Sequence, residues 1–465
     1  MLESSPRISK NLNAQRVQRA LFLFCPTGTF CREDRCQSFF DFELIPSMRA
    51  PLEECEAAGA LRDIGIPHHL IDAPAEQLSD ADFLEQVKAS DADLICIAVT
   101  FGSLEQDLFW LRKIRSEMPH ALIGLRGAPC YVWAKQLLTE NPAISFCLHG
   151  EYELTFKHLC SDGIETCPGL SYRAASGQIL SNPAVYAQDL DLLPLPDRSS
   201  ISQNLYKVRG FGAKQSTVRV QRGCPFPCSY CLVHTVSGKT ARHRSAQHIV
   251  KEIKALLATG ISHFYLRADT FTVNKRWAIA LAEEIKKEAP QARWVTTTRV
   301  DCVDEEVIAA MSAAGCYGIS FGIDVASEKI GALVRKPPQI EKATRAMRLC
   351  DQYNILSLGY FMIGFIWDTA ETLQETRHFI SQVRPDLLTI HFAHPYPGTA
   401  YFAAVQAAGL KTTSLKAQAE PALDVPALSG KELRTAARSM LVKHYSRPSV
   451  LWSVARKSLR KSFAI

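Results

Sequence analysis

Within the stretch Arg222-Gly-Cys-Pro-Phe-Pro-Cys-Ser-Tyr-Cys231, three cysteines stand at the spacing Cys-x3-Cys-x2-Cys, as Cys224, Cys228 and Cys231. Thiolates are soft ligands that select zinc, copper(I) or iron–sulfur clusters. Structural zinc asks for four protein ligands, and the nearest candidates for a fourth are His234 and His243. Cys228 and Cys231 alone would make a redox Cys-x2-Cys pair, which leaves Cys224 without a task. A [4Fe–4S] cluster normally takes four cysteines, so three would leave one iron open to a ligand other than protein.

The triplet needs a frame. Six strand-like runs lie near 217–221, 263–267, 293–298, 317–323, 356–363 and 387–393. Helical stretches separate the later ones. In SAQHIVKEIKALLATG, Ser245 can cap the start and Gly260 the end. Six consecutive β/α units predict a partial barrel whose active end lies at the carboxyl ends of its strands. The triplet directly follows the first strand, where barrel chemistry belongs.

Residues 20–160 show the same alternation. RALFLF, HHLIDA, DLICIAVT, ALIGLRG and ISFCLHG are short, apolar and rich in branched residues, and SLEQDLFWLRKIRSEM between them carries Leu104, Leu108, Leu111 and Ile114 at helical spacing. This predicts a parallel, doubly wound sheet that binds ligands outside its strands' carboxyl ends. Those ends carry Asp72, Thr100 with Gly102 and Ser103, Arg126-Gly-Ala-Pro129, and Gly150-Glu151-Tyr-Glu153. The stretch 161–216, with DLDLLPLPDRSS, breaks the rhythm and reads as a crossing linker. The expected divisions are therefore a polar tail 1–19, a Rossmann-like domain 20–186, a linker 187–214, a barrel 215–410 and a helical, basic region 411–465.

Bulk composition narrows the class. The chain has 465 residues, 47% hydrophobic and 22% charged, which suits a soluble protein of two or three domains. No apolar run reaches the roughly 18–20 residues that span a bilayer. The polar first stretch lacks the apolar segment of a secretory signal, so the expected location is the cytoplasm. Of the fifteen cysteines, those outside the triplet sit mostly in apolar runs and read as buried free thiols. From Lys431 onward there are nine Lys/Arg and one acid, Glu432, within a formal net charge of +6. The last stretch, PSVLWSVARKSLRKSFAI, suits an amphipathic helix on an anionic membrane or acidic partner, or more simply a helix packed on its own domain. No nucleic-acid partner is expected.

Cys224-Pro-Phe-Pro-Cys228-Ser-Tyr-Cys231 resembles the signature of the radical S-adenosylmethionine superfamily, and the resemblance runs through the barrel from residue 215 to about 410. It implies a [4Fe–4S] cluster whose open iron chelates S-adenosylmethionine, with reductive cleavage giving a radical that abstracts a substrate hydrogen atom. It also implies an electron donor such as flavodoxin or ferredoxin. On this resemblance Tyr230 lies against the adenine, Asp324 to Ser327 with Arg335 hold ribose and carboxylate, and the segment Gly359 to Phe365, with Gly364, contacts the adenine. His394-Pro-Tyr-Pro-Gly-Thr399 resembles the loop after the sixth strand. The usual Gly-Gly-Glu after the second strand is replaced by Arg267-Ala-Asp-Thr-Phe271, where Asp269 stands for the glutamate. Phe365-Ile-Trp367 lacks the proline common after the fifth.

A doubly wound domain ahead of such a barrel resembles the cobalamin-binding branch of that superfamily. That implies cobalamin contacts at Thr100, Ser103, Gly127, Gly150 and Glu151, at a sheet whose carboxyl ends face the barrel mouth. The Asp-x-His-x2-Gly motif that supplies cobalt with a histidine is absent. A methylthiotransferase-like arrangement would instead use Cys25, Cys31 and Cys36 for a second cluster, but their close spacing does not match it. No G-x-G-x-x-G follows the first strand, which disfavours a simple nucleotide-binding domain. The leading expectation is cobalamin-dependent methylation of an unactivated carbon. The alternatives are a tetrapyrrole-cyclase-like oxidation or ring closure, and a degenerate, non-catalytic cofactor-binding protein. Phe361, Trp367 and Phe392, with the basic tail, suggest an apolar, lipid-like or tetrapyrrole-like substrate.

Overall fold

A computed structural model describes residues 17–28, 30–32, 37–39, 49–207, 213–412, 415 and 420–462. Of the expected tail 1–19, residues 1–16 lie outside this set, as do Cys36, Phe463 and the side chains of Cys31 and Leu459. The chain divides in the main between Tyr206 and Lys207 into two compact units.

The first unit is built on strands β1 (Ala20–Phe24), β2 (His68–Asp72), β3 (Leu94–Ala98), β4 (Leu122–Arg126) and β5 (Phe146–Leu148), parallel in the order β2-β1-β3-β4-β5. Every residue of β1 and β3 is buried, because helices cover both faces of the sheet. Alternate side chains serve opposite cores. Leu21, Leu23, Ile95 and Ile97 face one, while Ala20, Phe22, Leu94 and Cys96 face the other. The order is that of flavodoxin-like sheets, whose switch point lies between β1 and β3.

The stretch 161–216 is more than a linker. It supplies β6 (Leu170–Arg173) and β7 (Ile179–Ser181), a hairpin that extends the sheet antiparallel beyond β5. Farther on, it lies against helix α1 (Leu52–Asp63) so closely that a Cβ on Gly59 would stand 2.3 Å from the Leu195 carbonyl oxygen. Asp197 N–H donates to Cys55 O at 2.8 Å, and Tyr206 donates its hydroxyl to Asp72 at 2.8 Å. Strands of three and four residues give too short a pattern to read, which is why the hairpin escaped the sequence.

The second unit carries six parallel strands in chain order: β8 (Gln215–Arg219), β9 (His263–Arg267), β10 (Arg293–Thr298), β11 (Cys316–Asp324), β12 (Leu356–Ile363) and β13 (Leu387–Phe392). These match the six sequence runs to within two residues. Helix α2 (Ala246–Ala258) is capped by Ser245, whose hydroxyl accepts His248 N–H at 3.1 Å. Burial alternates strictly along β12 and β13. The buried set, including Phe361 and Phe392, joins the helix-side core, and Trp367 packs against that same core. Phe361 and Phe392 therefore do not line the barrel interior and give no argument for an apolar substrate.

Two helices close the chain, α4 (Gly430–Tyr445) and α5 (Pro448–Ser462), after α3 (Glu328–Val334) on the barrel. α5 packs on its own unit through Val450 and a polar anchor. Lys457, 2% exposed, donates to Asp386 at 2.7 Å, and Asp386 also accepts from Ser453 Oγ, Ser357 Oγ and Ser357 N–H. Truncating one partner of such a pair leaves the other charge buried and uncompensated. Lys457→Ala is expected to destabilise the second unit by about 3 kcal/mol, read as a lowered midpoint in urea unfolding.

Candidate active site

The cysteine loop begins where β8 ends. Gln221 Oε1 accepts the backbone N–H of Asp269 at 2.7 Å and of Thr270 at 3.1 Å, and Asp269 Oδ2 accepts Gly223 N–H at 2.6 Å. The far end is tied as well: Ser229 N–H donates to Val334 O at 3.0 Å and accepts Tyr401 N–H at 2.9 Å through its carbonyl. Cys224 is buried, and Cys228 and Cys231 are half-buried; none of the three is in a disulfide. The other cysteines whose side chains are described form no disulfide and are buried except for Cys302, which lies 3.8 Å from an Asp301 oxygen.

Neither histidine joins the triplet. His234 Nε2 lies 2.8 Å from the Cys224 carbonyl oxygen, and the His243 ring packs on Trp277 at 4.5 Å. Among the described residues, no three His, Cys, Asp or Glu side chains converge on one ion position. A mononuclear zinc site would bring its sulfurs together around one ion at about 2.3 Å. A cubane cluster instead gives each cysteine its own iron, so separated thiols on one short loop fit that group.

Two cations attend the loop. Arg299, just beyond β10, points Nη1 at Cys228 Sγ at 3.8 Å and lies 3.9 Å over the Phe226 ring. Asp301 holds it by two bonds, Nε to Oδ1 at 2.9 Å and Nη2 to Oδ2 at 2.8 Å, and this pairing lowers the Asp301 carboxyl to about 2 against the opposing effect of burial. Burial pushes the Cys228 thiol up, and Lys336 and Arg299 oppose it. Metal loading must therefore displace a proton here, and the two cations lower its cost.

Beside the loop sits a half-buried carboxylate. Asp324 ends β11 in the left-handed region, φ 62°, and accepts the Tyr230 hydroxyl at 2.7 Å. Lys336 donates to Asp324 and, at 2.8 Å, to the Gly322 carbonyl. Arg335, the residue the resemblance pointed to, occupies the left-handed C-cap of α3 and is exposed, whereas Lys336 is 7% exposed. Ser327 is buried at the start of α3 and makes no capping bond. The Tyr230 ring stands 5.7 Å from Phe365, whose N–H, with that of Gly364, is held by Asp368. His394 is buried, with Nδ1 3.0 Å from Phe392 O. His391 lies by Tyr360 at 5.5 Å, and burial lowers it to about 4, which keeps it neutral.

In the first unit the polar candidates are bonded internally. Thr100 and Ser103 share a hydroxyl bond at 2.6 Å, and Ser103 Oγ donates to Asp107 at 2.5 Å. Glu151 accepts Ala187 N–H at 2.6 Å, and the Tyr131 hydroxyl bonds both the carbonyl and the N–H of Gly150. Gly127 has φ 127°, and a Cβ there would stand 2.0 Å from Val99 O. Arg126 and Glu54 form a buried ion pair; desolvation nonetheless raises the Glu54 carboxyl to about 7. Near the β1/β3 switch point stand small residues, Thr27, Gly28 and Gly102, with Gly127 and Ala128 following β4. Of these, Gly28 is exposed and Gly102 half-buried, and residues so small leave room for a large, flat cofactor rather than supplying pointed ligands.

The fold and the loop define a radical S-adenosylmethionine enzyme. The family model described as the radical SAM superfamily matches residues 218–380. An uncharacterized methyltransferase of Pyrococcus horikoshii is 30% identical over 395 residues, covering 82% of this chain and 85% of that protein. The chain therefore belongs to the radical SAM superfamily. An anaerobic magnesium-protoporphyrin IX monomethyl ester cyclase of Rubrivivax gelatinosus is 27% identical, across 70% of this chain and 61% of its own length. Among solved structures, the radical S-adenosylmethionine methyltransferase TsrM from Kitasatospora setae, with cobalamin and a [4Fe-4S] cluster bound, gives a TM-score of 0.65. It is 18% identical over 90% of this chain and 81% of its own, a likeness of fold that spans both units.

Lys336, Arg299 and Gln221 were not singled out in the sequence. Lys336→Met leaves the half-buried Asp324 beside the Tyr230 hydroxyl without its cation, and is expected to cost about 2 kcal/mol of stability. Arg335→Met, at an exposed position, should change stability by less than about 0.5 kcal/mol. Urea unfolding of the two variants side by side checks the difference.

Proposed function

We propose that this chain is a cobalamin-dependent radical S-adenosylmethionine enzyme that methylates an unactivated carbon of a small molecule. The observation that carries the reading is the similarity to a protein named as a methyltransferase, continuous over 82% of this chain and so across both units. When bound, the cluster with S-adenosylmethionine supplies a hydrogen-atom abstractor, and cobalamin supplies a transferable methyl group.

The chain's own residues then have distinct tasks. Cys224, Cys228 and Cys231 hold the cluster. Arg299 favours the thiolate of Cys228, while Asp269, committed to Gly223 N–H, positions the loop rather than touching a cofactor. Asp324, fixed by Tyr230 and Lys336, offers a rigid acceptor for ribose hydroxyls next to Phe365 and Gly364. Ser327 brings an uncommitted hydroxyl nearby. Arg335 can contribute only by turning inward from solvent. In the first unit, Gly127 and Gly150 hold tight turns at positive φ against Val99 and Ala184, and Thr100, Ser103 and Glu151 support the turns they stand on, all beside the proposed cobalamin. Methylation at an unactivated position needs electrons, and a flavodoxin or ferredoxin is the proposed donor. The proposed substrate is tetrapyrrole-like or lipid-like, and the protein works in the cytoplasm or at a membrane surface.

The similarity to a cyclase favours one second reading, a radical oxidation or ring closure. Product mass separates the two: methylation adds a methyl group in place of hydrogen, and ring closure removes hydrogen. Anaerobic reconstitution with iron and sulfide, followed by dithionite and S-adenosylmethionine, should yield 5′-deoxyadenosine, and Cys228→Ala should yield none above background. No 5′-deoxyadenosine from wild type, with Cys228→Ala behaving the same, would leave only a non-catalytic cofactor-binding protein. The cobalamin assignment has its own readout. Chain loaded with hydroxocobalamin is expected to keep its corrin absorbance through desalting, and loss of that colour sinks the cobalamin reading alone.

A further inference from the structure

The two carboxyl-terminal helices have a second face that the catalytic reading does not use. Their inner face is ordinary core: Leu433, Ala436, Ala437, Met440 and Val450 are buried against the second unit. Their outer face is unusual. Among the described residues the four most exposed large hydrophobics are Leu192 at 82%, Trp452 at 71%, Val442 at 61% and Leu451 at 56%, so three of the four lie on α4 and α5. Monomer surfaces scatter single apolar residues, and a gathering of large ones with a Trp among them marks a contact.

Charge says what kind. Lys431, Arg438 and Lys443 are exposed on α4, and Arg438 stands one helical turn from Val442. The segment from Lys431 onward holds nine Lys/Arg, and its one acid, Glu432, is committed to the N-terminal cap of α4 through Ser429. Of those nine, Lys457 is buried on Asp386 and Arg434 and Arg456 pair with Glu420 and Asp351, so among the described side chains the exposed Lys431, Arg438 and Lys443 carry the outer face's charge, which would repel a second copy of that face. Trp beside cationic side chains is the composition of helices that lie in the headgroup region of anionic bilayers. No helix among the described residues is long and apolar enough to cross a membrane, so the contact is one of surface.

We propose that the outer face of α4 and α5 docks on an anionic lipid bilayer, with Trp452 and Leu451 entering the interface and Arg438 and Lys443 meeting the headgroups. The inner face, through Val450 and Lys457, keeps the helices folded on the barrel while they do so.

Sedimentation of the full chain with phosphatidylglycerol-containing and pure phosphatidylcholine vesicles tests this, with Trp fluorescence read alongside. Binding to the anionic vesicles, weakened by raised salt and accompanied by a blue shift that Trp452→Ala removes, is the expected result. Each cation near a charged surface contributes about fivefold, so Arg438→Glu with Lys443→Glu should weaken binding by well over tenfold. Because all these residues are exposed, circular dichroism and melting should be unchanged. Equal affinity for both vesicle types, no binding, or binding indifferent to both variant sets overturns the proposal. So does concentration-dependent self-association that Trp452→Ala abolishes, or tighter binding to a nucleic acid than to the vesicles.

Discussion

The candidate site hangs on a reciprocal pair of hydrogen-bonded side chains across the ends of two neighbouring strands. Gln221 satisfies the backbone donors of Asp269 and Thr270, and Asp269 satisfies that of Gly223. Parallel strands end together, and their last N–H groups would otherwise lie buried without acceptors, which is costly. Solving that problem also fixes where the cysteine loop leaves the barrel. The bonds from Ser229 to Val334 and from Tyr401 to Ser229 fix its far end against residues that follow the fourth and sixth strands. A loop of ten residues thus takes its shape from units spread over nearly two hundred residues of chain.

Charge is distributed around that loop with the same economy. Burial in the cysteine loop raises the Cys228 thiol. Arg299 and Lys336 offset this, and each is itself held by a carboxylate, Asp301 and Asp324. The arrangement brings positive charge close to the sulfurs without leaving bare cations in the interior. It also makes Asp324 a fixed point between the loop, through Tyr230, and the segment after the fourth strand, through Lys336.

Much of this was legible in the sequence for physical reasons. Parallel strands covered by helices read as apolar runs, and the last barrel strands alternate cleanly, so the parallel strands of both sheets stood out. The triplet stood out because its chemistry needs those residue types at that spacing. What was hidden depends on register and backbone turn. Arg335 and Lys336 are indistinguishable as letters, and only the left-handed turn at Arg335 sends the first to solvent and the second to Asp324. Gln221 and Arg299 are ordinary polar residues until strand pairing sets them beside the loop. Asp269 was found for its charge, but that charge is spent on a backbone N–H. The aromatics of the later strands were misassigned because alternation tells which residues share a face and not which face is the lumen.

The claim beneath all of this is that three cysteines are the full protein share of a four-iron cluster, with the last iron kept for S-adenosylmethionine. Electron paramagnetic resonance of the anaerobically reconstituted, reduced chain tests it directly, recorded before and after that cofactor is added. The account predicts the signal of a reduced [4Fe–4S] cluster whose g-values shift on addition, because one iron accepts new ligands. A signal that S-adenosylmethionine leaves unchanged would contradict it.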